Sequence, residues 1–414
     1  MKILIENIKT IVGANPTPKD KLSGKEMSVL PCVDNAWISI ADGLISAVGT
    51  MKEGAPAKAM FDKVINAEGR FVFPSWCDSH THIVYAGSRE AEFVDRIRGL
   101  SYEEIARNGG GILNSAERLN KTSEDELFES AMNRLKEITR YGTGAVEIKS
   151  GYGLSVEGEL KMLRVIKKLK QHSPLTIKAN FLGAHAMPTK YKQNRQEYID
   201  LIINEMLPVI AKEKLADYCD VFCDRGFYTV EETDTILQAG LKYGLQPKIH
   251  ANELDYSGGI QVGVKNNALS VDHLEFTGDV EIECLLKSKT MPTLLPSTAF
   301  FLGLHYPPAR KMIDAGLPLA LATDYNPGSS PSGRMVFIIS LACVKLKMLP
   351  EEAINAATVN SAYAMGVGST HGTITVGKTA SLFITHPIPS YNYLPYSFGS
   401  DLIETVMVKG EIKN

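Results

Sequence analysis

Eight apolar runs of strand length lie between Phe71 and Thr323, with stretches between them in which apolar residues return at three- and four-residue spacing. The runs are residues 71–77, 145–149, 176–182, 218–223, 247–250, 269–273, 291–295 and 319–323. Helices are predicted between them, among others over 124–141, 157–170, 195–214 and 231–243. Strands separated by helical stretches pair in parallel, because a parallel neighbour is reached only through a crossover and a helix supplies one. Eight of them favour closure into an α/β fold of the (β/α)8 TIM-barrel type over an open sheet.

The two ends read differently. Residues 2–8, 36–40 and 44–48 alternate apolar and polar side chains in short pieces, and Asp42-Gly43 supplies a hairpin-turn signal. Residues 372–384 and 402–408 repeat that style, split by Gly377-Lys378 and Lys409-Gly410 turns. The expectation is a catalytic barrel over 71–370 and one small β-sandwich built from 1–70 and 371–414. A chain of 414 residues is long enough for a large barrel with such an accessory unit.

Hydrophobic residues make up 44% and charged residues 22%, the balance of a globular protein without long disorder. Net charge is -3 and the basic residues are scattered, which argues against nucleic acid as a partner. Nothing reaches membrane-spanning length without charge, and the start Met1-Lys2-Ile3-Leu4-Ile5-Glu6 lacks a secretory pattern, so a cytoplasmic protein with no membrane partner is expected. The six cysteines have no paired spacing and read as reduced, buried thiols.

Candidates for chemistry cluster at the ends of the predicted strands, the face on which barrels of this type carry their sites. The first strand runs into Asp78-Ser79-His80-Thr81-His82, where residues two apart point to one side, so His80 and His82 can offer nitrogens to a single ion. Alone, such a pair is equally well a buried, hydrogen-bonded one. Strand five ends in His250-Ala251-Asn252-Glu253, strand six in Asp272-His273 and strand eight in Thr323-Asp324. A hydrolytic metal wants a few nitrogen and oxygen ligands with one position left for water, and His80, His82, His250 and Asp324 make that set. Taken singly, a strand-end histidine is more often structural, and Asp324 could cap the following segment; convergence on one barrel mouth favours the metal. His172, His305, His371 and His386 lie outside this face and are assigned no chemistry.

These residues resemble the amidohydrolase superfamily, whose metal-dependent barrels carry His-x-His on the first strand and Asp on the eighth. The likeness runs over the whole chain, sandwich included, apart from Ala380-Ser381, where an Ala-Asp pair is common. The segments around the metal set are similar to the imidazolonepropionase family: Phe73-Pro74 with residues 78–82, Ala86-Gly87-Ser88-Arg89, Glu92-Phe93, Gly110-Gly111-Ile112, residues 147–154, Leu182-Gly183-Ala184-His185-Ala186 and residues 323–329. Dinuclear superfamily members bridge their metals with a carboxylated lysine on strand four; here that strand ends Phe222-Cys223-Asp224, and Lys149 on strand two is expected in an ion pair. Without that bridging lysine one divalent ion per subunit is expected, and the His3Asp set suits zinc or iron.

The resemblance implies hydrolytic ring opening of 4-imidazolone-5-propanoate to N-formimino-L-glutamate, in histidine degradation, by a homodimer. In that chemistry Asp324 accepts a proton from water, His273 polarises the carbonyl or stabilises the oxyanion, and Glu253 holds the ring nitrogen and returns a proton to it. Arg89 suits the propanoate tail as a planar, two-point donor, though a surface loop arginine would read the same. Tyr152, His185, Asn326 and Ser329 are carried over as substrate contacts, with Gly328 permitting close approach; by itself Tyr152 reads as a packing residue. Two alternatives remain. A deaminase of a nucleobase or related heterocycle would share the metal core, but Arg89 would have no carboxylate to meet. A barrel that only binds would have no need of Glu253 and His273 beside a full ligand set.

Overall fold

The computed structural model describes residues 1–100, 104 and 110–413. The first strands are β1 (Lys2–Val12), β2 (Cys32–Ala41), β3 (Leu44–Thr50), β4 (Lys63–Asn66) and β5 (Phe71–Pro74). The barrel strands follow: β6 (Trp76–Asp78), β7 (Thr143–Lys149), β8 (Thr176–Ala184), β9 (Tyr218–Cys223), β10 (Gln246–Ala251), β11 (Ser270–His273), β12 (Met291–Leu294) and β13 (Ala320–Leu321). The chain ends with β14 (Leu382–Thr385), β15 (Ile403–Val408) and β16 (Glu411–Ile412).

Strands β6 to β13 lie side by side in chain order, every pair parallel. The seam between β6 and β13 closes just beyond the strand ends: Asp324 N donates to His80 O (3.0 Å), His82 N donates to Tyr325 O (2.9 Å), and Thr81 bridges Tyr325. Backbone of the predicted metal ligands thus seals the barrel. Its helices begin as local chemistry dictates. Ser123 caps Glu124–Arg140 and Thr229 caps Val230–Lys242, each in a capping box with the glutamate three residues on, and apolar faces pack inward from there.

The eight-strand reading holds, with differences at particular places. The run 71–77 is two strands: β5 pairs with β1 and β14, and only β6 enters the barrel. Pro74 fixes φ and has no donor, so the ladder changes partners there, yet both halves are buried and therefore read as one apolar run. The predicted helix 195–214 is three pieces, Arg195–Leu201, a π-turn over Ile202–Met206, and Leu207–Glu213; the wide turn falls just before Pro208, which cannot donate to the preceding turn. Of residues 372–384 only the end is in β14.

Strands from the two chain ends form one mixed sheet in the order β16-β15-β14-β5-β1-β2-β3, with β4 beside β1. It folds over a core of its own that includes Ile3, Ile5, Ile38, Val72 and Leu382. The predicted hairpin turn locks it: Gly43 has φ +79°, a Cβ there would sit 2.8 Å from Lys409 O, and its carbonyl accepts from Ala380 N (2.8 Å). All six cysteines are free, but only Cys77, Cys219 and Cys223 are buried; Cys32 is exposed and Cys284 and Cys343 are half-buried, because hydrophobic neighbours in sequence do not by themselves place a thiol inside. Among the described residues no helix is long and apolar enough to cross a membrane.

Candidate metal centre and active site

His80 and His82 leave the end of β6 on the same side, with their Nε2 atoms 3.3 Å apart. Asp324 Oδ1 lies 3.5 Å from the first and 3.6 Å from the second. Donor atoms of His80, His82 and His250 all fall within 4.8 Å of one another. Two ligands held about 2.0–2.1 Å from a tetrahedral ion are roughly 3.3 Å apart, so these separations suit one shared cation. His250 Nε2 is buried with no hydrogen-bond partner among the described residues, and burial holds His80 and His82 neutral, far below their ordinary pKa, with lone pairs available. The donor set fits a divalent metal.

Each ring is aimed from behind. His80 Nδ1 pairs with Asp272 Oδ2 (2.7 Å), and His250 Nδ1 with Asp220 Oδ1 (3.1 Å). A carboxylate on Nδ1 fixes the tautomer and turns Nε2 toward the ion. Those carboxylates are held by Lys149, whose Nζ lies 2.7 Å from Asp220 Oδ2, 2.7 Å from Glu147 Oε1 and 3.6 Å from Asp272 Oδ2. Lys248 grips the other oxygen of Glu147 and reaches Ser79 O (3.1 Å), while Asn180 donates to both Glu147 and Asp220. All five charged side chains are fully buried. Burial works against the charge on Lys149, but Asp220, Glu147 and Asp272 outweigh it and push its pKa up; Asp220 is likewise drawn well below the carboxylate range by Lys149 and His250 despite its burial. Lys149 is therefore the predicted ion-pair partner, with a reach the sequence reading missed. Charged residues inside apolar strands were the available signal.

The other predicted residues line a cavity of about 160 Å³ at the barrel mouth: Arg89, Tyr152, His185, Glu253, His273, Asn326, Gly328 and Ser329 surround it with His82, His250 and Asp324. Tyr152 and His185 pack over His82, with ring centroids 5.8 and 5.2 Å from it; burial takes His185 down to about 3, and its Nδ1 meets Gly151 O at 3.0 Å. Arg89 is braced by Glu92, through Nε (2.7 Å) and Nη2 (2.7 Å), and Glu92 also holds Arg96 and Gly111 N. A Cβ on Gly328 would lie 2.3 Å from Arg89 Nη1, so the close approach this glycine allows is that of the guanidinium. Asn326 accepts from Gly328 N and Ser329 N and donates to Asp324 O, so its polar atoms build the loop that presents Ser329.

His273 Nε2 stands 3.7 Å from Glu253 Oε2. Burial, then the charges of Asp324 and Asp224, hold the Glu253 carboxyl well above its ordinary range, and burial lifts Asp324 to about 6. Asp224, not foreseen, fixes the Glu253 segment by accepting from Glu253 N (2.7 Å) and Leu254 N (2.8 Å). Positive φ gathers here on residues with side chains: Asn252 (54°), His273 (85°), Leu274 (73°) and Asp324 (53°). Such backbone is costly for non-glycine residues and is kept where it aims a functional group.

A strand-end site of this composition in a parallel barrel defines a metal-dependent hydrolase, and residues 71–413 match the profile of the amidohydrolase family. Guanine deaminase from E. coli superposes with a TM-score of 0.75 at 14% identity, covering 100% of this chain and 98% of its own, which speaks to the fold. Imidazolonepropionase of Flavobacterium johnsoniae is 61% identical over 412 residues, with 100% of both chains covered, and that of Christiangramia forsetii is 55% identical over the same span. The chain belongs to the imidazolonepropionase family of amidohydrolases.

Proposed function

We propose that the protein opens the ring of 4-imidazolone-5-propanoate by hydrolysis, giving N-formimino-L-glutamate, with His80, His82, His250 and Asp324 holding one divalent ion, zinc or iron. The observation that carries this reading is the shared cavity: a braced guanidinium, a carboxyl whose pKa is raised and three of the four proposed ligands, His82, His250 and Asp324, all open into the same small space. At about 160 Å³ it is below the size that takes drug-like ligands, which favours a small ring with a short tail. When bound, the metal supplies a lowered water pKa and a polarised carbonyl.

The chain's own groups do the rest. Arg89 takes the propanoate and orients the ring, since Glu92 keeps its plane fixed. Asp324, beside the position of the attacking water, accepts the proton that water loses. His273 presents Nε2 to the oxygen on which negative charge grows. Glu253, protonated at neutral pH, donates to the ring nitrogen as the C–N bond breaks. Tyr152 and His185 cover His82 and keep the ring dry on that side.

Loss of the imidazolonepropanoate chromophore, measured alongside ammonia release from cytosine and guanine, tests the assignment. Ring opening without deamination is expected; ammonia from either base with no ring opening would hand the site to the deaminase reading. Elemental analysis should give about one ion per chain, because β9 ends without a lysine and Lys149 is locked among carboxylates. Two tightly held ions would refute that count. Arg89→Ala is expected to cut kcat/KM by about 10- to 100-fold, chiefly through KM, the cost of one charge-assisted contact pair. Glu92 keeps Arg96 and Gly111 as anchors in that variant, so an unchanged KM would take Arg89 out of substrate binding.

A further inference from the structure

Glu275 is a glutamate that none of the chemistry above uses, and it sits directly beneath the site. Its side chain is fully buried, and neither carboxyl oxygen has a hydrogen-bond partner in another described residue. One oxygen, Oε2, lies 3.9 Å from His273 Nδ1, which is itself buried and has no hydrogen-bond partner among the described residues. Burying an unsatisfied carboxyl lowers stability, and doing so beside an equally unsatisfied imidazole nitrogen calls for a reason.

The backbone arranges the pairing. His273 and Leu274 are consecutive residues at φ 85° and 73°, a turn that swings Glu275 back under the imidazole. It is pinned by Leu274 N to Ala251 O (3.1 Å) and Phe276 N to Asn252 O (2.8 Å), while His305 Nε2 meets the Glu275 carbonyl at 3.1 Å. Strained backbone is thus maintained at the two residues that join imidazole and carboxyl. On the far side of the ring, Nε2 faces Glu253 and the cavity.

We infer that Glu275 is a positioning residue which engages His273 Nδ1 and thereby presents Nε2–H to the substrate carbonyl. At 3.9 Å the contact is longer than a hydrogen bond, and catalytic contacts of this kind commonly tighten in the substrate complex. Burial and the nearby Glu253 push the pKa of the Glu275 carboxyl well above the usual carboxylate range, which favours the protonated form that can donate to Nδ1. A neutral acid whose O–H donates a hydrogen bond to Nδ1 requires that nitrogen to be unprotonated, so the ring proton sits on Nε2, the tautomer that oxyanion stabilisation requires.

This inference rests on the proposed ring opening, so the test includes readouts that do not depend on it. Glu275→Leu removes the unsatisfied carboxyl and should raise Tm by roughly 2–4 °C with metal content unchanged. Its kcat should fall about 10- to 100-fold, as for loss of a group that orients another, with KM within about threefold. Glu275→Gln, which keeps an N–H donor, should recover most of that rate. In the zinc-loaded enzyme, imidazole 15N shifts should show His273 fixed as the Nε2–H tautomer, and exchanging between tautomers in Glu275→Leu. A wild-type rate in Glu275→Leu, an unchanged His273 tautomer, or a fall in kcat accompanied by metal loss or a lower Tm would each overturn the assignment. A wild-type enzyme inactive on imidazolonepropanoate would count against the substrate alone, and the tautomer and Tm readouts would still decide the role of Glu275.

Discussion

Glu253→Gln should lower kcat on 4-imidazolone-5-propanoate by about 100- to 10,000-fold, the usual consequence of removing a positioned acid or base, while leaving metal content as in the wild type. The carboxyl lies beside His273 and outside the His80, His82, His250 and Asp324 set, and its backbone is anchored independently by Asp224, so the amide can take the same place without disturbing the ligands. What the amide lacks is a transferable proton. The sign with pH follows from the environment. Burial and the Asp324 and Asp224 charges raise the Glu253 pKa, so the proton is present at neutral pH and is lost as pH climbs through that raised value. Wild-type kcat should therefore decline on the alkaline side, and Glu253→Gln should lack that limb. Metal loss in the variant would make Glu253 a ligand, and a near-normal kcat would mean another group delivers the proton.

Lys149→Met is expected to destabilise the protein by about 3–5 kcal/mol, the range seen when one partner of a buried ionic cluster is deleted. Glu147, Asp220 and Asp272 would be left against Lys248 alone, in a space no water reaches, and Asp220 and Asp272 are the groups that aim His250 and His80. Denaturant unfolding measures the first effect, and competition with a chelator should show a weaker hold on the ion. Adding Asp220→Asn to Lys149→Met should recover part of the lost stability, since the double variant buries one fewer unmatched charge. Stability within about 1 kcal/mol of wild type would mean that Lys149 is not what neutralises the cluster.

Much of this was legible in the amino-acid order because period and position carry it. Residues 218–223 read as a strand and form one, and His80, His82, His250 and Asp324 were visible as strand-end residues once eight strands were counted. Asp220 and Asp272 were visible as letters but not as partners. Which histidine each one meets depends on lateral register, and the pairing of Lys248 with Asp220 and of His250 with Asp272 arises between strands far apart in sequence. Gly328 shows the same limit. Its need for space was readable, yet the neighbour that fills the space, Arg89, comes from 239 positions away in the chain, the difference between 328 and 89. The turn at His273 and Leu274 lacks the glycine that usually announces such backbone, so strain there had no sequence marker.

The seam between β6 and β13 gives the ion a mechanical part to play. Among the described residues the two edges of the barrel are joined by Asp324 N to His80 O, His82 N to Tyr325 O, the Thr81–Tyr325 bridge and the Asp78 carboxylate on Thr323, and the side chains of His80, His82 and Asp324 would clasp the cation from opposite edges. A cation bound there would act as a rivet across this joint of the cylinder, so that loading the site and closing the wall would become one event. Stripping the metal should then loosen the joint before anything else. The amides of His82 and Asp324 would exchange with solvent sooner than those of β9 and β10, which are stitched on both sides by longer ladders.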